Sequence, residues 1–159
     1  LNYNTSKYCC ALAANQLFIY IYDYINSNAL TSYYTNNPIN LYNYLTQLIP
    51  YNTSGTNLYQ GMNKAMNSGI VNLNYTAVGA GYQDVWGLAY YLINTQKMPS
   101  ILLIHNHPDL GNHWVVTYGV IACYYNNKLV DKFFIVNNGY GKNSVRINVQ
   151  YQYNLIYLS

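Results

Sequence analysis

Residues 9–25 read CCALAANQLFIYIYDYI, and this stretch decides how the rest of the chain is interpreted. Its apolar residues recur every three or four positions, which is the spacing of one face of an α-helix. Because apolar residues occupy several sides, we expect this helix to lie buried in the middle of its domain. The predicted apolar ridge consists of Cys10, Ala14, Leu17, Ile21 and Ile25, and it is widened by Ala13, Tyr20 and Tyr24.

The first half of the chain predicts three more helices and a strand. Proline at the first turn is typical of a helix start, and glycine just beyond the last turn is typical of a helix end. The predicted elements are a helix that begins at Asn37-Pro38 and is stopped by Pro50, a helix from about Thr56 to Asn67 that ends at Gly69, a strand near Leu73 to Val78, and a helix from about Asp84 to Ile93.

The second half changes its pattern to short apolar runs separated by turn residues. Strands are predicted over residues 100–104, 113–121, 132–136, 145–149 and 153–158, with turns at 126–127 and 139–141. Helices followed by antiparallel strands predict an α+β fold. Since the chain shows neither an internal repeat nor a linker, we expect residues 1–159 to form a single domain.

The composition excludes several classes of function. Only 7% of the 159 residues are charged, there is no Glu, and the acids are four Asp residues. A mechanism with two working carboxylates, or a carboxylate-rich site for a hard metal ion, therefore has few candidate residues. The net charge of +3 comes from scattered basic residues that form no stripe, which argues against nucleic-acid binding. No apolar stretch is long enough to span a bilayer.

Three cysteines offer a candidate nucleophile. An odd count leaves at least one thiol free, and neighbours such as Cys9 and Cys10 rarely bond to each other. A thiol attacks a carbonyl as the thiolate, which a helix N-terminus stabilises. Cys9 stands where the first helix should begin and is our predicted nucleophile, although an inert buried thiol is the ordinary alternative. Cys10 lies on the apolar ridge and is assigned to the core, and Cys123 is assigned to packing.

A base and its orienting group are predicted on two later strands. His113 opens an apolar strand, and the next strand ends in Asn137. If these strands pair, the Asn137 amide can reach the His113 ring and fix its tautomer. Because side chains alternate between faces, a shift of one residue would give this role to Asn138 instead.

These segments resemble those of papain-like cysteine peptidases, and most of all the bacterial branch of streptopain and the bacteriocin-processing peptidases. In streptopain-like enzymes small residues follow the Cys, a Gln comes seven residues later and a Tyr eleven later, as Gln16 and Tyr20 follow Cys9. Residues 112–119 resemble the family's histidine strand. Residues 136–141 resemble its Asn segment, in which an aromatic-Gly pair shields the triad.

The resemblance implies a papain-like fold, with an N-terminal helical half whose central nucleophile helix packs on a C-terminal antiparallel sheet. It implies peptide-bond cleavage by Cys9, His113 and Asn137, or Asn138, through a thioester acyl-enzyme. The implied partners are a peptide or protein substrate and a propeptide or inhibitor. The implied protein is a monomer that needs no cofactor or metal. The resemblance implies a bacterial protein, and the few Lys and many Asn and Tyr residues favour a secreted one.

The resemblance is incomplete at the oxyanion site. Papain-like enzymes usually carry a Gln about six residues before the Cys, and its side chain helps the Cys backbone N–H hold the oxyanion. In this chain that position is Tyr3. Asn4 is the nearby amide that we assign as the oxyanion candidate.

Two alternatives use other chemistry. His105-Asn106-His107-Pro108 has the His-x-His-Pro form found in zinc-dependent isopeptidases, but the Ser, Asp and Glu that accompany it there are missing at the required spacing. A zinc hydrolase would need a third ligand, for which Asp109 or His113 could serve. Otherwise this segment is a loop of a substrate cleft. A catalytically inactive papain-like binding module, or another acyl-transfer enzyme such as an amidase or a transglutaminase-like protein, would share the predicted fold.

Overall fold

The computed structural model describes residues 8–51, 53–81 and 84–159. The chain divides into two compact units. We call residues 8–79 with 156–159 the helical unit, and residues 80–155 the sheet unit. Helices and antiparallel strands are both present, so the predicted α+β class is confirmed at this level. In the described ranges, none of the helices is both long and apolar enough to cross a bilayer.

The helical unit contains four helices and one short strand. These are α1 (Cys9–Tyr24), α2 (Ser32–Thr35), α3 (Pro38–Leu48), α4 (Gly55–Asn67) and β1 (Ala77–Gly79). The starts of α3 and α4 are fixed by side-chain caps, because Asn37 accepts from the Ile39 amide at 3.3 Å and Ser54 from the Asn57 amide at 3.3 Å. Helix α4 ends before Gly69, whose φ of 79° is accessible to glycine at little cost.

The first helix is buried on all sides through its first half, as its sequence predicts. Every side chain from Cys10 to Asn15 is buried, and so are Leu17, Phe18 and Ile21. The predicted ridge was wrong at its end. The helix stops at Tyr24, which is 75% exposed, and Ile25 is 42% exposed, because the last turn runs out of the core.

Helices α1, α3 and α4 pack against one another. Gly61 of α4 marks a place where two backbones approach closely. A Cβ built there would lie 2.5 Å from Ile49 Cγ1 and 2.9 Å from the Leu48 carbonyl oxygen. The absence of a side chain therefore sets how close α4 comes to the end of α3.

The sheet unit consists of one helix and most of an antiparallel sheet. Its elements are α5 (Val85–Asn94), β2 (Ser100–His107), β3 (Gly111–Tyr125), β4 (Lys128–Asn137), β5 (Val145–Asn148), a 3-10 turn (Val149–Tyr151) and β6 (Gln152–Leu158), whose last three residues belong to the helical unit. The strand order is β6-β2-β3-β4-β5. Within the helical unit, β1 pairs antiparallel with the end of β6.

Helix α5 packs on β3 and β4 and is tied to the sheet by Trp86. The indole Nε1 donates to the Phe133 carbonyl at 3.0 Å, and the Trp86 amide donates to the Gln152 side chain at 2.9 Å. Asp84 caps the helix by accepting from the Gly87 amide. These bonds hold the helix against the strands that carry the predicted base and its neighbours.

Several predicted boundaries were wrong in an informative way. The segment His105–His107 is the end of β2 rather than a loop, with a register shift after Ile104. The strand predicted over residues 73–78 is reduced to Ala77–Gly79, and helix α2 was not predicted. Strands β3 and β4 extend well beyond their apolar runs, because each provides the other with backbone partners as far as the turn at 126–127.

Candidate active site

Cys9 is the first residue of α1 and is half-buried. The N-cap residue, Tyr8, makes no side-chain hydrogen bond to the helix. The first backbone N–H groups of a helix have no acceptor within the helix, and they form the positive end of its dipole. A thiolate on Cys9 would lie at this end and would be stabilised by it.

Cys10 is held in a different environment, although it is the next residue. Its side chain is 1% exposed, and its Sγ donates to the Thr53 carbonyl at 3.7 Å. A hydrogen bond with the Cys9 side chain, together with burial, raises the pKa of the Cys10 thiol. Cys10 therefore stays protonated at neutral pH, which disfavours it as a nucleophile. None of Cys9, Cys10 and Cys123 is part of a disulfide bond.

His113 lies on β3, opposite Ile104 of β2, and is 3% exposed. Its Nε2 lies 2.8 Å from the backbone carbonyl oxygen of Asn138. A carbonyl can only accept, so Nε2 must carry the proton and donate it. In the neutral ring the unshared electron pair is then on Nδ1. The sheet unit thus holds this imidazole in a tautomer that can act as a base through Nδ1.

Tyr140 covers one face of the His113 ring. The two rings are nearly parallel, with an interplanar angle of 14° and centroids 4.9 Å apart. Tyr140 stands between Gly139 (φ 78°) and Gly141 (φ 87°), and such left-handed conformations favour glycine. The aromatic-Gly segment therefore contacts the predicted base through the Tyr140 ring.

The strand register decides how Asn137 and Asn138 relate to the base. Asn137 pairs with Val116, and residues directly opposite in an antiparallel pair share a face. Val116 is an odd number of positions from His113, so the side chains of Asn137 and His113 point to opposite faces of the sheet. A catalytic contribution by Asn137 stays a prediction. The hydrogen bond that the structure shows at the His113 ring is accepted by the main-chain carbonyl of Asn138.

The two remaining histidines are held by local contacts. The His105 ring stacks on Tyr153 with centroids 3.7 Å apart, and the His107 ring meets Tyr151 edge-on at 4.8 Å. His107 Nδ1 accepts from the amides of Asp109 and Leu110, at 3.1 and 3.2 Å. This bonding closes the turn between β2 and β3, and it is a role that the sequence analysis missed.

The donor set offers no support for a zinc hydrolase. Within residues 8–51, 53–81 and 84–159, no group of three His, Cys, Asp or Glu side chains lies close enough together to hold a metal ion. His107 is instead engaged through Nδ1 in the turn. The proposed third ligands, Asp109 and His113, do not complete such a group.

The predicted site residues are distributed over both units. His113, Asn137 and Asn138 belong to the sheet unit, where Asn138 contacts the His113 ring, and Cys9 belongs to the helical unit. The oxyanion candidate Asn4 lies outside the described residues, so that assignment stays a prediction. Comparison with protein-family models, with curated proteins and with solved structures gave no match to this chain. Function is therefore inferred from the side chains themselves.

Proposed function

We propose that this chain is a cysteine peptidase in which Cys9 is the nucleophile and His113 the base. The observation that carries the proposal is the hydrogen bond of the buried His113 ring, because Nε2 donates to the Asn138 carbonyl at 2.8 Å and Nδ1 is then the ring atom that can act as a base. Cys9 at the start of α1 is the complementary observation. A thiol on a helical unit and an imidazole on a sheet unit are the two halves that the papain-like resemblance implies.

The proposed reaction has two steps. His113 Nδ1 removes the proton from the Cys9 thiol, and the sulfur bonds to the carbonyl carbon of the substrate peptide. The carbon–nitrogen bond then breaks, and the leaving amine takes the proton from Nδ1. Water attacks the resulting thioester and gives a proton to Nδ1, the carbon–sulfur bond breaks, and the sulfur takes the proton back. The reaction requires Cys9 Sγ to come within hydrogen-bond reach of Nδ1.

The surroundings of His113 suit the charge that this reaction creates. When Nδ1 is protonated, Nε2–H still donates to the Asn138 carbonyl, so the imidazolium keeps its partner. The face of the Tyr140 ring attracts a cation placed against it, by about 0.5–2 kcal/mol depending on exposure to water. Both contacts can therefore be kept when the imidazolium forms during attack.

Two neighbouring thiols give a matched pair of variants. Cys9→Ala should lower kcat for an unfolded protein substrate at least about a thousandfold, because the nucleophile is removed. Cys10→Ala should retain cleavage, since the Cys10 thiol is buried and protonated. Iodoacetamide should label Cys9 in the wild-type protein. The assignment is wrong if only the Cys10 change abolishes cleavage or labelling.

A bifunctional reagent tests the distance that the proposal requires. 1,3-Dibromoacetone can join a thiol to an imidazole only when both lie at one site. Mass spectrometry should find a bridge between Cys9 and His113 in the wild-type protein and none in a His113→Ala variant. A bridge to His105 or His107, or labelling of Cys9 alone, would contradict the assignment of His113.

The other predicted functions give different results in the same experiments. Cleavage that is lost with a chelator and restored by Zn²⁺ would indicate a zinc hydrolase. A protein without a reactive thiol would be an inactive binding module. Labelling of Cys9 without cleavage of any peptide bond would indicate an amidase or a transglutaminase-like enzyme. A papain-like fold, a protein substrate and a bacterial source belong to the proposal and follow from the sequence resemblance. Secretion also belongs to the proposal, and it follows from the composition.

A further inference from the structure

We propose that Asn138 is the positioning residue for His113, acting through its main-chain carbonyl rather than through a side-chain amide. This inference rests on the proposed function, because it identifies the group that orients the base. The carbonyl oxygen holds Nε2–H of His113 at 2.8 Å, and the side chain of the same residue holds the loop that presents this oxygen.

Asn138 makes three hydrogen bonds that close the loop from Asn138 to Lys142. Asn138 Oδ1 accepts from the amide of Tyr140 at 2.8 Å and from the amide of Lys142 at 3.2 Å. The Asn138 amide donates to the Lys142 carbonyl at 3.1 Å. Asn138 is 8% exposed, so its side-chain bonds to this loop are partly shielded from competing water. The main-chain amide and the side-chain oxygen of Asn138 therefore hold the loop, and its main-chain carbonyl holds the His113 ring.

The same bonds set the position of the Tyr140 ring. Tyr140 lies between two glycines in left-handed conformations, a backbone that is flexible without other restraint. The bond from the Tyr140 amide to Asn138 Oδ1 supplies that restraint. Loss of the Asn138 side chain should therefore displace both the carbonyl that accepts from His113 Nε2–H and the Tyr140 ring that stacks on the imidazole.

Asn137 supports the loop in a different way. Its Oδ1 accepts from the Gly139 amide at 2.9 Å, and its Nδ2 donates to Asn143 Oδ1 at 2.8 Å. The pairing with Val116 directs its side chain to the sheet face opposite His113. We therefore assign the orientation of the base to Asn138.

The test compares Asn138→Ala, which removes the side-chain acceptor, with Asn138→Asp, which keeps an oxygen at the same place. In the ¹⁵N-labelled wild-type protein, Nε2–H of His113 should exchange slowly with solvent, and the carbon-bound protons of the ring should be shifted by the Tyr140 ring current. Asn138→Ala should speed this exchange at least about tenfold and reduce the ring-current shift. With a peptide substrate, kcat should fall by about 10- to 100-fold at unchanged KM, because the base is misplaced.

The controls separate orientation from folding. Asn138→Asp should restore slow exchange and most of kcat. Lys142→Ala, which changes a side chain of the same loop but keeps its main-chain bonds to Asn138, should leave both unchanged. If Asn138→Ala does not fold, Asn138→Ser replaces it, since a hydroxyl can accept from only part of the loop. Wild-type exchange and kcat in Asn138→Ala, or in Asn138→Ser when that variant is used, would overturn the inference. An inactive wild-type protein would refute the peptidase proposal, while the exchange measurements would still decide the role of Asn138.

Discussion

Replacing Gly61 by alanine sets two effects of known size against each other. Alanine is favoured over glycine in a helix interior by about 1 kcal/mol. The new methyl group would, however, lie 2.5 Å from Ile49 Cγ1 and 2.9 Å from the Leu48 carbonyl oxygen. A side-chain atom can move aside, but the carbonyl belongs to the backbone at the end of α3, and such overpacking costs about 1–3 kcal/mol. Because a close backbone contact puts the clash in the upper part of that range, we expect Gly61→Ala to lower the free energy of unfolding by about 1–2 kcal/mol.

Urea unfolding, followed by far-ultraviolet circular dichroism, measures this difference. The midpoint should fall while the slope against urea stays the same, since a stability change alone does not alter the surface exposed on unfolding. Gln60→Ala provides the matched control, because Gln60 is the exposed neighbour of Gly61 in the same helix and surface changes usually stay within about 0.5 kcal/mol. A Gly61→Ala protein as stable as the wild type would show that α3 and α4 do not approach as closely as described.

Three further predictions concern single side chains. Above pH of about 8.5, the usual pKa of a thiol, the unfolded chain loses the Cys10 proton while the folded chain keeps it. The wild type should therefore lose up to about 1.4 kcal/mol of stability per pH unit relative to Cys10→Ala, and parallel denaturation curves from pH 7 to 10 would refute this. Trp86→Phe removes the bond to the Phe133 carbonyl and should cost about 1–2 kcal/mol in thermal unfolding, so an unchanged midpoint would count against that bond. His107→Phe keeps a ring against Tyr151 but removes the acceptor of two turn amides, so those amides should exchange faster than in the wild type, and unchanged rates would contradict the assigned role.

Much of the helical unit follows from local sequence signals. Asn37-Pro38 and Ser54 act as caps where the sequence carries cap residues, and the apolar spacing of residues 10–21 places α1 in the core. Ile25 departs from the pattern because periodicity shows which residues could face a core but does not show where that core ends. Helix α2 has only four residues and is too short to leave a periodic signal.

The sheet unit is harder to predict because strands depend on partners far away in sequence. The apolar runs located the strands of this unit, but the length of β3 and β4 is set by their mutual pairing, which adds residues 122–125 to β3 and 128–131 to β4. The side chain of His107 closes the turn after β2, and no sequence motif distinguishes this from a free histidine. Pro108, Asp109 and Gly111 are the residue types in this segment that are typical of turns, and Gly111 adopts a φ of 63°.

At the candidate site, the sequence indicates side-chain candidates but does not indicate main-chain contacts. Residue types and spacing were enough to assign Cys10 to the core and to place His113 on a strand whose partner leads into the Asn segment. The acceptor at His113 Nε2 is a main-chain carbonyl, which every residue possesses and which no sequence can therefore mark. The pairing of Asn137 with Val116 fixes the faces of the two Asn side chains, and this register became visible only in three dimensions.

The loop beside His113 also contains an Asn-Gly pair, Asn138-Gly139, whose side-chain amide is prone to deamidation. In an Asn-Gly pair the glycine nitrogen readily attacks the asparagine side-chain carbon, which releases ammonia and leaves an aspartate or an isoaspartate. Here the Gly139 nitrogen donates a hydrogen bond to Asn137 Oδ1. The side-chain oxygen of Asn138 accepts from two backbone N–H groups. Deamidation of Asn138 should therefore proceed only when this loop opens. An isoaspartate at 138 would insert an extra backbone carbon beside the oxygen that holds the imidazole.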